Sequence, residues 1–345
     1  MPDEVEVYDP HNMIHENSLL VSDLETALKE DLHLSHLEFN SIVVCGMGGS
    51  AIGGDIVADS MYSHSLLPIT VWRYPYLPGW VNEKTLMIIS SYSGNTAESL
   101  SAYEQAIKRK CPIVSITSGG DLMKFSERDG VAYVTLKKGI QPRNAVGYTI
   151  GYLINVIASV GGPDIRKECI STLPALYKYI DDMLDLNGLP RQIATELYGH
   201  LPVIYSVPEM YAISRRWRAQ FNENAKILSF DGLIPDTNHN DIVGLLSDGG
   251  KKVKPILLTN KNQSKMMREI INNIISTLKE RGLSPYVVTI SGKNLFERTL
   301  KTLLLGDFVS LHLAFFQSID PSDVSIIKKL KVSVAKRLTG KKKRK

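Results

Sequence analysis

Short, unbroken apolar runs alternate with longer amphipathic stretches along most of this chain. Ile42-Val43-Val44-Cys45 is followed by comparable runs at 67–72, 85–90, 112–117 and 131–136. Runs of this kind, β-branched and without polar alternation, predict strands buried on both faces, as in a parallel sheet. Between them, residues 9–37 read as helix, with Leu20, Leu24 and Leu28 on one face. Helices are also predicted from Ala51, from Ala97 and over 148–160. Gly161-Gly162-Pro163-Asp164 interrupts the pattern. A helical stretch then covers 165–198. Strands follow at 201–206, 253–258 and 286–290, with helices at 211–226, 264–282, 294–319 and 324–336. Strands alternating with helices predict an α/β fold of two domains, each a parallel β-sheet flanked by helices on both faces. The expected division is 1–160, 161–338 and a basic tail at 339–345. The two halves share one plan, as an internal duplication would.

Composition changes this picture little. The chain has 345 residues, 43% apolar and 22% charged, with a formal charge of +4, which fits a globular protein of about two domains. Much of the charge sits in Lys341-Lys342-Lys343-Arg344-Lys345, read as a solvated end. The body is close to neutral, so neither a nucleic-acid partner nor a membrane is expected. Cys45, Cys111 and Cys169 are widely separated and form no zinc or disulfide pattern. Cys45 and Cys111 are expected as buried small hydrophobes. The acidic start, MPDEVEVYDP, does not read as a secretory signal, and no apolar run looks long enough to span a membrane. The expectation is a cytoplasmic protein.

Candidate chemistry lies where strands end. After Cys45 comes Gly46-Met47-Gly48-Gly49-Ser50, and then a helical pattern. Glycines between strand and helix let backbone N–H groups approach an anion at the helix N-terminus, although the same glycines also serve helix–sheet packing. The spacing is neither that of a dinucleotide fingerprint nor that of a nucleotide P-loop. The second strand end, Ser91-Tyr92-Ser93-Gly94-Asn95-Thr96, offers three hydroxyls and a glycine. Such a cluster either caps a helix or shares a phosphate monoester with backbone amides. Two such turns in one half of the chain favour the phosphate.

The pair Gly-x-Gly-Gly-Ser and Ser-x-Ser-Gly-Asn-Thr resembles the sugar isomerase (SIS) domain, a phosphosugar-binding module. Further segments are similar to the bifunctional phosphoglucose/phosphomannose isomerase family. They are Gln141-Pro142-Arg143-Asn144-Ala145-Val146-Gly147-Tyr148, Phe221-Asn222-Glu223-Asn224-Ala225-Lys226, Pro235-Asp236-Thr237-Asn238-His239-Asn240-Asp241, Gly306-Asp307-Phe308 with Ser310, and Ile319-Asp320-Pro321. They occur in family order along nearly the whole chain. The resemblance implies two SIS domains, a homodimer, no cofactor, no metal, and interconversion of glucose 6-phosphate and mannose 6-phosphate with fructose 6-phosphate.

It also implies roles. Gly48, Gly49, Ser50, Ser91, Ser93 and Thr96 would hold the phosphate, Glu223 would move a proton between C1 and C2, and Arg143 would steady the developing negative charge. His239, from a partner subunit, would help open the sugar ring. The family commonly has Thr-Pro after its Asp-Pro, where this chain has Ser322-Asp323, so Ser322 would supply that hydroxyl. By spacing, Lys329 rather than Lys331 would assist ring opening. Asp236 stands where the family often has Glu. The residue types suit the task on their own terms. Proton transfer beside a carbonyl needs a base within reach, an enediolate wants fixed donors or a cation, and histidine titrates near neutrality. Two other readings stay open: an isomerase restricted to one epimer or to another phosphosugar, and a non-catalytic SIS regulator.

Overall fold

The computed structural model describes residues 8–340. The first seven residues and the basic run 341–345, with what was read into them, lie outside the described residues. The chain begins with α1 (Met13–Ser18), α2 (Leu20–Lys29), β1 (Ser41–Cys45), α3 (Gly49–Met61), β2 (Ile69–Trp72), β3 (Thr85–Ser91) and α4 (Ala97–Lys108). It continues through β4 (Ile113–Thr117), α5 (Gly120–Asp129), β5 (Ala132–Thr135), α6 (Val146–Ser159), α7 (Arg166–Ile170), α8 (Leu173–Leu184), α9 (Leu189–Leu197) and β6 (Leu201–Ser206). Then come α10 (Tyr211–Glu223), β7 (Phe230–Leu233), α11 (Asp241–Leu245), β8 (Val253–Asn260), α12 (Lys265–Glu280), β9 (Tyr286–Ile290), α13 (Leu295–Phe316) and α14 (Ser325–Gly340).

Both sheets are parallel throughout. The first has the order β2-β1-β3-β4-β5 and the second β7-β6-β8-β9, which is the same order with one strand fewer. In each, the order reverses between the first and third strands of the half. That reversal leaves a crevice at the carboxyl ends of neighbouring strands.

Side-chain alternation sorts the core into layers. On the first sheet Ile42, Val44, Leu86, Ile88, Val114 and Ile116 face inward; on the second, Ile204, Ile256 and Leu258 do the same. These inner faces join α3, α6, α10 and α13 in one continuous hydrophobic cluster that runs across both halves. Outer faces carry separate layers: Val43, Met87 and Ile89 against Tyr103 and Ala106 of α4, and Val203 and Leu257 against Ile271, Ile274 and Leu278 of α12. The sheets fall on either side of residue 161, but the core does not divide there.

Several local expectations are corrected. The helix predicted over 9–37 is two short helices ending at Lys29, followed by irregular chain in which His33 takes a positive φ of 44°. The stretch 165–198 holds three helices, since Pro174 and Pro190 can start helices but not continue them. β7 and α5 were not anticipated. Contrary to expectation, α13 is long and apolar enough to cross a membrane, but 89% of its most apolar part is buried inside the protein. It is the central core helix. All three cysteines are free and buried, and burial pushes the Cys45 thiol up to about 12.

Candidate active site

The phosphate-binding candidates meet at the crevice of the first sheet. β1 and β3 run side by side, with Cys45 opposite Ile89, so the turns that follow them emerge together. Gly48 takes a φ of 53° and forms the N-cap of α3. The first turn of α3 has no acidic residue and no side-chain cap, so its backbone donors are free to meet an anion. Ser50 lies in that turn, 7% exposed. In the neighbouring turn, Ser91 Oγ donates to Thr96 Oγ1 at 3.1 Å and the Asn95 N–H donates to Ser93 Oγ at 3.3 Å. Gly94, with a φ of 65°, lets the turn fold against the loop after β4; a Cβ there would sit 1.8 Å from the Gly119 carbonyl oxygen.

The chemistry-bearing candidates adjoin this cradle through Gly49. A Cβ on Gly49 would lie 3.0 Å from the Pro142 carbonyl oxygen, so the loop carrying Arg143 rests against the first turn of α3. Arg143 is 5% exposed, and each nitrogen of its guanidinium has a direction. Nε donates to Asn224 Oδ1 at 2.8 Å, Nη2 donates to the Pro321 carbonyl at 2.7 Å, and Nη1 faces Glu223 Oε2 at 4.0 Å. Burial lowers the pKa of this guanidinium, while the Glu223 carboxylate works in the opposite direction. Glu223 is the last residue of α10, with its side chain 31% exposed. Ser322 is 8% exposed, and its N–H donates to Asp320 Oδ1 at 2.8 Å.

A second row of residues, to which sequence reasoning gave no role, fixes the first. Arg216 grips Asp307 with two bonds of 2.9 and 2.7 Å, both side chains 2% exposed. A bidentate pair of this kind has a defined geometry. Arg216 Nη2 also donates to the carbonyl of Arg143 at 2.9 Å. Asn224 Nδ2 donates to Ser310 Oγ at 2.8 Å, and Ser310 Oγ donates to the Asp307 carbonyl at 2.5 Å. The available signal was polar residues at helical spacing, Asp307 and Ser310, within the apolar run of α13 from Leu303 to Leu311.

The remaining candidates stand apart. His239 is exposed on a 3-10 turn, Asp236–His239, after β7, and among the described residues no hydrogen bond or ion pair joins it to Arg143 or Glu223. Lys329 is exposed on α14. Among the described residues no three carboxylate, thiol or imidazole groups gather as a metal site would require.

Comparison with known proteins shows what the whole chain is similar to. The family model described as the bacterial phospho-glucose isomerase C-terminal SIS domain matches residues 187–334. A bifunctional phosphoglucose/phosphomannose isomerase from Thermoplasma acidophilum is 36% identical over 299 residues, spanning 86% of this chain and 90% of its own length. A D-glucosamine-6-phosphate 4-epimerase from Sulfolobus acidocaldarius is 27% identical, over 87% of this chain and 90% of that protein. The fold is shared with a hypothetical protein of Thermus thermophilus, with a TM-score of 0.75 and 17% identity over 95% of this chain and 91% of the other.

Proposed function

Because the chain belongs to the bifunctional phosphoglucose/phosphomannose isomerase family, we propose that it interconverts glucose 6-phosphate and mannose 6-phosphate with fructose 6-phosphate at the site built around Arg143 and Glu223. The observation that carries this reading is the buried Arg143 guanidinium held 4.0 Å from the Glu223 carboxylate, next to an uncapped helix N-terminus. A phosphate seated on Ser50, Ser91, Ser93 and Thr96 anchors the unreactive end of the sugar and presents C1 and C2 to Glu223.

The chemistry is redox-neutral. Glu223 takes the C2 proton of the open-chain aldose as the C1 carbonyl becomes an enediolate oxygen; the O2 hydroxyl proton passes to O1, and the Glu223 carboxylic acid returns its proton to C1 as the carbonyl forms at C2. Arg143 stabilises the negative charge that develops on the enediolate oxygens, in a place where burial strengthens the interaction. Glucose and mannose differ only at C2, so both collapse to one enediolate; their C2 protons lie on its opposite faces, so a single base serves both through rotation about the C2–C3 bond. Ser322, beside the Pro321 whose carbonyl accepts from Arg143, is assigned the hydroxyl that touches the sugar. His239 and Lys329 are assigned to ring opening. The exposure of His239, away from the Arg143 cluster of its own chain, fits a homodimer in which it reaches the site of a second copy.

The test is an assay of the purified protein with each hexose 6-phosphate in the presence of a chelator, with Glu223→Gln alongside. Turnover of both sugars by the wild type is expected. The variant should lose solvent exchange of the C2 proton while still binding fructose 6-phosphate. Near-full turnover by Glu223→Gln would show that another group is the base.

A further inference from the structure

From the carbonyls that converge on it, we infer that Lys226 is a positioning residue for the isomerisation, its ammonium locking the end of α10, and with it Glu223, onto the Asp320–Ser322 loop. This rests on Glu223 being the base. The Lys226 Nζ donates to the Glu223 carbonyl at 2.8 Å and to the Asp320 carbonyl at 2.9 Å, with the Asn224 and Pro321 carbonyls at 3.3 and 3.4 Å. Two of these oxygens belong to the end of α10, where carbonyls have no intrahelical partner. The other two belong to the loop that carries Ser322. The Pro321 carbonyl is the one that accepts from Arg143 Nη2, so the ammonium and the guanidinium meet on a single oxygen. Base, cation and Ser322 are thereby held in one frame.

Lys226 occupies its place against the local backbone preference. Its φ is 54°, a left-handed conformation that helix ends usually give to glycine or asparagine. A lysine is retained where a glycine would fit more easily, and it places a cation at the negative end of the helix dipole. Burial and the Arg143 charge lower the pKa of the ammonium, while Asp323, Asp320 and Glu223 oppose them. Although the residue as a whole is exposed, its ammonium lies against these four carbonyls at the edge of the site.

Lys226→Met keeps the stem and the backbone geometry and removes the ammonium. A displacement of the base by a fraction of an ångström to 1 Å lowers kcat by about 10- to 100-fold, and KM should stay within about twofold because the phosphate cradle lies on other loops. Lys226→Cys alkylated with bromoethylamine rebuilds an ammonium of the same reach, and the three native cysteines are buried and out of the reagent's way. Recovery of kcat on alkylation is expected. Unchanged kcat in Lys226→Met overturns the inference, as does a loss that alkylation fails to restore or a loss carried by KM. A wild type without turnover of either hexose 6-phosphate would instead overturn the underlying reading of the site.

Discussion

At the scale of single residues, charge has been buried where it orders the site. Arg143, Arg216 and Asp307 are each at most 5% exposed. Removing one partner of such a group strands the other, at a cost of about 3–5 kcal/mol. Asp307→Asn should therefore destabilise the protein by several kcal/mol and lower kcat, through the slackened Arg143 carbonyl; urea midpoints and steady-state rates together would show both. Asp59 is a contrasting case. It sits on α3, accepts a 3.3 Å bond from the Ala212 N–H at the start of α10, and burial pushes its carboxyl up to about 7, with Asp55 and Glu209 adding to the rise and Arg215 opposing it. An acid harder to ionise in the folded state costs stability as pH rises. Below its unfolded pKa, near 4, the carboxyl is protonated in both states and nothing is lost. Between there and about pH 7 the unfolded chain releases the proton first, and the folded state loses on the order of 2–4 kcal/mol. Asp59→Asn should consequently raise the urea midpoint at pH 8 and leave it nearly unchanged at pH 4. Equal gains at both pH values would refute the assignment. None of these residues was legible in the sequence as a buried charge, because a charge read without its partners defaults to the surface.

At the scale of elements, what was legible follows from how many neighbours a strand has. β1, β3 and β4 are covered on both faces and flanked on both edges, and each wrote a continuous apolar run. β7 is an edge strand of four residues, Phe230-Asp231-Gly232-Leu233, with Phe230 exposed. It pairs with β6 alone and left no such run. The predicted end of α10, at residue 226, lies three residues beyond its end at Glu223, since the helical pattern of Asn224-Ala225-Lys226 continues in sequence while Lys226 turns left-handed in space. The two turns proposed for the phosphate were legible as turns because glycine and hydroxyl residues gather where a strand gives way to a helix. Their joint geometry depends on Gly94, packed on Gly119. Gly94→Ala should raise KM for the hexose phosphates at least about tenfold and lower stability by about 1–3 kcal/mol through a forced left-handed alanine and its overlap. An unchanged KM would separate this turn from phosphate binding.

At the scale of the whole molecule, the second strand order repeats the first, yet only the first sheet ends in a glycine turn and a hydroxyl turn; after β6 the chain reads Val207-Pro208-Glu209-Met210. On the proposed reading the halves differ in task, with the anion on one sheet and the base on the last turn of a helix beside the other. If a second copy supplies His239, Glu223→Gln and His239→Ala subunits, each inactive alone, should recover about a quarter of wild-type activity after mixing and re-association, because half the dimers regain one correct site of two. No recovery would keep His239 within its own chain's site or outside catalysis. The shared inner cluster has a bearing on synthesis. Met13, near one end of the chain, packs on Leu311 and Phe315 near the other, and the inner cluster shared by both halves is complete only once α13 is in place. A ribosome that has made the entire first sheet still holds a nascent chain with an unfinished interior. Chains stalled just before α13 should be cleaved readily by protease and held by chaperones, and those released with α13 complete should become resistant in a single step.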